Sequence, residues 1–441
     1  MLEPLGRDAR RSAGAGRPDS TPAAGRAAAS ARGFALRAAP YPYRALLAIC
    51  SDLDETPDAR VYAEIARFLN TRAATAMGPG VGLEVGNTLY FDMPPGQFAY
   101  WNTDDAGRAM AQALLRSGHI DCLHSFGDLA TTRAHAARAL DELARRDCRL
   151  EVWVDHAIAP TNFGADIMRG QGDVPGAPAY HADLTHAFGM RYVWRGRVTS
   201  VIGQDVPARL NGLFHPRNPA ASAKTIAKEL AKRALARLGS RKYALQRDNR
   251  VLHEATLRDG RRVLEFIRCN WHWGGVSCGD TARGIADVLT DAALDTLARR
   301  RGAAVLYTHL GKIEDPARPF NPATAAAFER LAERQRRGQI RTLTTRRLLG
   351  YLRARDGIRW QASDCGAGLA RIDIDTRSGA PDWPLPRRDL QGLTFYVPAH
   401  VQRAELVVDG EPYETVAANP PDDTGRASVS APLGKLEFPD W

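Results

Sequence analysis

The run Ala48-Ile49-Cys50-Ser51-Asp52-Leu53-Asp54-Glu55-Thr56 constrains this chain more than any other. An apolar stretch from Arg44 to Cys50 reads as a core strand and leads straight into two carboxylates spaced i,i+2. On extended backbone that spacing puts Asp52 and Asp54 on one side. The pattern of an apolar strand with a polar tip recurs at Ile120 to His124, at Leu150 to Val154 before Asp155-His156, and at Ala303 to Tyr307 before Thr308-His309. Helical periodicity fills the intervals. Asp58 to Asn70 carries Val61, Ile65, Phe68 and Leu69 on one face, and Ala106–Ser117, Thr131–Arg146, Thr281–Arg299 and the stretch from Asn321 to Gln335 follow. Alternating strands and helices predict parallel strands joined by crossover helices: an α/β fold whose polar groups gather at strand ends.

The flanking segments differ in kind. Residues 1–40 are rich in Ala, Gly, Arg and Pro and poor in large apolar side chains, and are expected to be disordered. No apolar run follows their arginines, so a secretory signal is not expected and a cytoplasmic location is favoured. Residues 203–262 read as an insertion into the main domain, 41–356. Ser222 caps an expected helix to Leu238, with Ile226, Leu230, Leu235 and Leu238 apolar and Lys224, Lys228, Lys232, Arg233 and Arg237 polar. Its basic face is either solvated surface or a rim for an anionic polymer or membrane. A hairpin follows, Val251–Leu257 with Arg262–Ile267, around a type I′ turn at Asp259-Gly260. Beyond Asp356 the helical period gives way to short strands at Leu369–Ile374, Leu393–Val397, Ala404–Val408 and Ala427–Ser430. These predict a small β domain at 357–441.

Composition removes several function classes. The net charge is +10, of which seven Arg against one Glu and two Asp in residues 1–40 contribute +4. The positive charge is not interleaved with aromatics, and no helix-turn-helix or zinc finger is recognisable, so nucleic acid is not an expected partner. No apolar stretch reaches the roughly 20 residues of a membrane span. The six cysteines form no CxxC pair, which argues against a structural zinc module and a disulfide framework. Gly78-Pro79-Gly80-Val81-Gly82 lacks the Lys and Ser/Thr of a phosphate loop, and no dinucleotide fingerprint or nucleophile elbow is present.

The remaining polar groups suggest metal or proton chemistry. Asp54 is the preferred metal ligand and Asp52 the base that deprotonates a water; the alternative is that Asp54 or Thr56 caps the helix beginning at Asp58. His124 and Asp128 can share one ion if the loop closes at Gly127. Imidazole and carboxylate suit zinc first, with manganese, cobalt, iron or nickel as alternatives. His156 is a candidate for catalysis or for a ligand position, and His309 for a general acid. Asn162 suits a sugar hydroxyl, Lys312 a negative group, and Trp271 and His272 a sugar-stacking platform, with a place in the core as the alternative for the aromatics.

In this order the motifs resemble those of the polysaccharide deacetylase family, the NodB-type deacetylases within the broader glycoside hydrolase/deacetylase superfamily. The resemblance covers about residues 43–355 and rests on Asp52 and Asp54 as the acidic motif, split here by Leu53; on His124-Ser125-Phe126-Gly127-Asp128 as the histidine motif, with Asp128 at the second histidine's place; and on Tyr307-Thr308-His309 as the late motif. It implies a distorted (β/α) barrel of about seven parallel strands and one divalent ion held by Asp54, His124 and Asp128, with His156 able to substitute. It further implies Asp52 as base and His309 or His156 as proton donor, removing N- or O-acetyl groups from a polysaccharide or glycan. For the arginine that orients the base, Arg191 and Arg195 are the candidates. The same barrel carries glycosidases, for which Asp52 with Glu84 or Asp128 is the carboxylate pair. A third expectation is a non-catalytic scaffold whose β domain binds carbohydrate.

Overall fold

The fold is that of a computed structural model, which describes residues 33–377 and 383–441. Its centre is an 11-stranded sheet. In chain order the strands are Ala45–Ser51 (β1), Gly86–Leu89 (β2), Ile120–His124 (β3), Val152–Val154 (β4), Tyr192–Trp194 (β5), Val198–Thr199 (β6), Leu252–Thr256 (β7), Arg262–Phe266 (β8), Arg268–Cys269 (β9), Ala303–Thr308 (β10) and Ile340–Leu343 (β11). In space the path runs β7-β8-β5-β4-β3-β2-β1-β10-β9-β6, with β11 paired to β1 beside it. Every pairing is parallel except the β7–β8 hairpin.

The expected closed barrel of about seven strands is corrected: the ladder is a curled, open sheet, a half-barrel. Ile267 is where it breaks. Its N–H turns to the Val251 carbonyl (3.0 Å), so the chain changes partners between β8, beside β5, and β9, beside β10. The helices lie as the periodicity predicts except for Thr281–Arg299, which is split into Ile285–Val288 and Asp291–Arg300, the second capped by Thr290. Asp58 caps Ala59–Asn70 by accepting from the Val61 N–H (2.8 Å), which leaves Asp54 free of that task.

Both faces of the sheet are buried, which is why its strands read as near-continuous apolar runs. Leu47, Ile49, Leu123, Trp153 and Leu306 pack under helices through Ile65, Phe68, Leu114, Leu297 and Leu331. Leu46, Ala48, Cys50, Val154, Trp194 and Val305 face the helix Thr345–Gly357 and the C-terminal strands.

The C-terminal region forms two four-stranded sheets. One joins Arg359–Gly366, Leu369–Asp375, Arg403–Val408 and Glu411–Pro412; the other pairs Thr394–Tyr396 with Ser428–Ser430 and with Ala35–Leu36. Residues 33–40, expected as part of a tail, belong to this β layer, with Arg37 paired to Asp422 at 3.0 Å. Residues 1–32 lie outside the described residues.

The insertion also differs from expectation. The hairpin strands join the central sheet. Their turn is a three-residue loop with Gly260 at φ 87°, because Leu257 pairs with Arg261 and only the glycine is left-handed. The helix Pro219–Arg237 buries Ser222, Thr225, Glu229 and Ala236, while Leu230, Leu235 and Leu238 face outward. The polar side is inward because it covers the β6 edge, whose orphan groups need partners. Lys232 Nζ donates to the Val198 carbonyl (3.1 Å), and Glu229 accepts from Thr199 Oγ1 (2.8 Å). Among the described residues no helix is long and apolar enough to cross a membrane.

Candidate metal centre

Asp54, His124 and His156 come together beyond the carboxyl ends of β1, β3 and β4. One ligand atom from each lies within 4.8 Å of the others. His124 Nε2 is 3.7 Å from Asp54 Oδ1, and His156 Nε2 is 3.4 Å from Asp54 Oδ2. Ligand atoms about 2.0–2.2 Å from a zinc-sized ion lie at similar mutual distances. The lone pairs face the right way: His124 Nδ1 donates to the Val154 carbonyl (3.1 Å), which fixes the tautomer and leaves Nε2 bare. Tyr90 donates its hydroxyl to Asp54 Oδ1 and stacks on His124 with centroids 4.8 Å apart.

The backbone is strained beside all three residues. The next residue in each case has a positive φ without being glycine: Glu55 at 62°, Ser125 at 46° and Ala157 at 42°. Such positions cost on the order of 1 kcal/mol or more and persist where surroundings impose them. Hydrogen bonds impose them here, from Ser125 N to the Val154 carbonyl (2.7 Å) and from Asn162 Nδ2 to the His156 and Ala157 carbonyls (2.9 and 3.3 Å). Gly127 closes the loop toward Asp128, and only glycine fits, since a Cβ there would lie 2.1 Å from the Asp92 carbonyl oxygen.

Asp52 lies beside the triad, with Oδ2 3.4 Å from His124 Nε2. Arg268, fully buried, grips it through Nη1 to Oδ2 (2.6 Å) and Nη2 to Oδ1 and Oδ2 (3.1 and 2.8 Å). The rings of Trp194 and Tyr307, side by side, both lie against that guanidinium, at 3.8 and 4.9 Å. Burial pushes the Asp52 carboxyl up, but Arg268 and the imidazoles of His124 and His309 outweigh it, so the group is held below its ordinary value. Asp54 is depressed in the same sense: burial opposes, and His156, His124 and His309 prevail. His156 is the counterpart. Burial lowers it, yet Asp128 and Asp54 raise it to about 10. Two carboxylates thus stabilise positive charge at this spot, whether a proton or a metal ion supplies it.

Asp128 stands next to the cluster but on its far side, with Oδ1 2.9 Å from His156 Nδ1, in the position that orients a ligand. His309 points Nε2 at Asp54 Oδ2 (3.6 Å), while its Nδ1 lies 3.0 Å from the Asp280 carbonyl and 3.6 Å from that residue's carboxylate. Lys312 is on the rim, 3.4 Å from Glu55.

The other expected substrate contacts are corrected. Glu84 is buried elsewhere, both oxygens taken by Arg347 (2.7 and 2.6 Å) and one by Arg341 (3.1 Å). Asn162 spends its amide on the loop after His156, accepting from that residue's N–H at 2.9 Å. Trp271 is a core residue whose indole donates to the Val288 carbonyl (2.6 Å), and His272 is buried with Nδ1 accepting from Gly274 N–H (2.9 Å), so neither of these two rings is open to a sugar.

The arginine beside Asp52 is Arg268, not Arg191, which donates to the carbonyls of His186 and Met190, nor Arg195, which pairs with Glu265. Its signal was a lone charge inside Phe266-Ile267-Arg268-Cys269. Tyr90 and Asp280 were also missed; neither carries a periodic signal.

Fold and site together define an α/β protein with a buried Asp/His/His cluster able to hold a divalent cation, consistent with a metal-dependent hydrolase. No protein-family model matches the chain, and no curated protein and no solved structure shows significant similarity to it.

Proposed function

We propose that the chain is a metal-dependent hydrolase that removes N- or O-acetyl groups from a glycan, with one divalent ion, zinc first, held by Asp54, His124 and His156. The observation that carries this reading is the pairing of that cluster with a second carboxylate, Asp52, kept ionised by a buried arginine within reach of the same histidine. An ion bound there would supply Lewis-acid polarisation of the acyl carbonyl and a more acidic water. Asp52 accepts the proton of the attacking water. Its depressed proton affinity keeps it ionised and so able to accept, and Arg268 fixes its orientation. His309 delivers a proton to the departing nitrogen or oxygen. With Nδ1 on the Asp280 carbonyl, only Nε2 can exchange it, and the Asp280 carboxylate supports the imidazolium. Asp128 orients His156, and Tyr90 orients Asp54. Lys312 and the rim loops lie where a glycan would approach.

A two-carboxylate glycosidase mechanism loses its supports, because Glu84 is locked by two arginines and Asp128 is engaged by His156. The test is metal analysis of the purified chain, with zinc-reconstituted protein assayed on acetylated amino-sugar oligomers for released acetate. One equivalent of metal, lost in His124→Ala and in His156→Ala together with acetate release, is the expected result. Full metal occupancy in both variants would overturn the ligand assignment, and a metal-loaded protein that cleaves only glycosidic bonds would overturn the reaction.

A further inference from the structure

The helix Asp291–Arg300 divides its charges between two sides. Its acids, Asp291 and Asp295, are both engaged by Arg334 of the neighbouring helix, at 2.8 and 3.0 Å. Its last two residues, Arg299 and Arg300, turn the other way, into a groove of about 650 Å³. The 203–262 segment supplies the facing wall, including Val206, Arg209 and Asn211, and none of the residues lining the groove is acidic. That volume lies within the range of small-molecule sites.

The three guanidinium groups here lack the carboxylate partner that many other arginines of the chain have. Among the described residues none of them meets a carboxylate. Arg299 Nη2 donates to Thr296 Oγ1 (3.0 Å), and Arg300 donates to the carbonyls of Ile202 and Pro207. Those two carbonyls hold the Arg300 fork in place without neutralising it. Burial and the nearby charges of Arg209 and Arg233 push its proton affinity down, the mark of a positive field with no counter-charge. Two arginine pairs elsewhere in the fold, Arg258 with Asp173 and Arg37 with Asp422, show the usual alternative.

We propose that this groove is a binding site for a phosphoryl-bearing anion, gripped by Arg209, Arg299 and Arg300. A phosphoryl group brings close to two negative charges and three acceptor oxygens that match planar guanidinium forks. The site is separate from the metal centre. Arg299 and Arg300 precede β10 and His309 follows it, so the length of that strand, about 20 Å, lies between them. The phosphoryl group can belong to a small metabolite or to a polymer, and the chemistry of the groove is common to both.

Calorimetric titration of the full chain at fixed ionic strength tests this, with inorganic pyrophosphate and with medium-chain inorganic polyphosphate. Saturable binding is expected, weakened about tenfold or more in the Arg209→Ser/Arg299→Ser variant and partly restored by lysine at both positions. Both side chains are exposed, so the variant should keep the fold and the metal content of the parent, which circular dichroism and metal analysis check. The Asp54→Asn variant should bind as the parent does. Tighter binding of polyphosphate per site points to the polymer source, and equal binding to a small ligand; either supports the site. No binding of either anion at millimolar concentration, binding unchanged in the serine variant, or binding abolished by Asp54→Asn would overturn it.

Discussion

The carboxylates Glu84 and Asp54 stand in clusters built on opposite principles. Around Glu84 each oxygen meets a guanidinium, from Arg341 of β11 and from Arg347 of the helix that follows. Around Asp54 the carboxylate meets the imidazoles of His124, His156 and His309 and the hydroxyl of Tyr90. Guanidinium is permanently charged and neutralises a carboxylate outright; imidazole offers a lone pair that waits for a proton or a metal. The first cluster is complete as it stands and ties the C-terminal part of the chain to the sheet. The second becomes electrically complete only with a cation. Asp52 combines both: one guanidinium holds it, and one imidazole faces it.

This contrast breaks most sharply at Asp54. Asp54→Asn should reduce bound metal from one equivalent to near zero and hydrolytic activity by roughly a thousandfold or more, the scale of losing electrostatic stabilisation at a reaction centre. The fold should lose modestly, because the imidazoles hold the carboxylate in its charged form and that favourable interaction goes with the charge. Atomic absorption, an acetate-release assay and thermal melting read the three quantities. Glu84→Gln should do the reverse. It leaves Arg341 and Arg347 buried without their counter-charge, a loss of about 3–5 kcal/mol, and metal content should stay at the parental value. Urea denaturation gives the first number. A Glu84→Gln protein that melts normally but loses metal would erase the distinction between the clusters.

The same contrast explains what was legible in the sequence. The strands under the site were readable because burial on both faces makes them continuous apolar runs, so Asp52, Asp54, His124, His156 and His309 stand out as polar tips. Convergence of the tips follows from parallel strands, which put every carboxyl end on one side. What could not be read were the partners. Arg268 meets Asp52 across 216 residues, and Arg347 meets Glu84 across 263, so neither pairing leaves a local pattern. Glu84, an acid close to a glycine-rich run, imitates a site residue as long as its arginines are unseen. The helix Pro219–Arg237 departs from its pattern for a related reason: the sheet edge it covers needs polar partners, so Leu230 and Leu235 point outward and Ile226 packs toward the core. Periodicity reports a helix's faces, not which one the neighbour requires.

A smaller effect sharpens the comparison within the metal site. Asp128 touches only the far nitrogen of His156, so Asp128→Asn keeps every ligand and removes one orienting charge. Metal affinity should fall about 10–100-fold, with stoichiometry at saturation unchanged. Competition with a chromophoric chelator measures it. If stoichiometry fell as well, Asp128 would be a ligand itself and His156 its support.

The smallest expected effect concerns the loop that aims His156. Asn162→Ala removes the amide that accepts from the His156 N–H and donates to the His156 and Ala157 carbonyls. Each such bond contributes about 1 kcal/mol, and the left-handed backbone at Ala157 would relax without them. Metal affinity should drop a few-fold, less than for Asp128→Asn, and the ion-loaded protein should recover most of its activity at saturating zinc, since coordination would then restore the geometry the amide supplied. Asn162→Asp keeps the acceptor and loses the donor, so it should fall between Ala and the parent. Had Asn162 served as a substrate contact instead, saturating zinc would rescue nothing: the deficit would sit in KM for the glycan, and chelator competition would show the parental affinity.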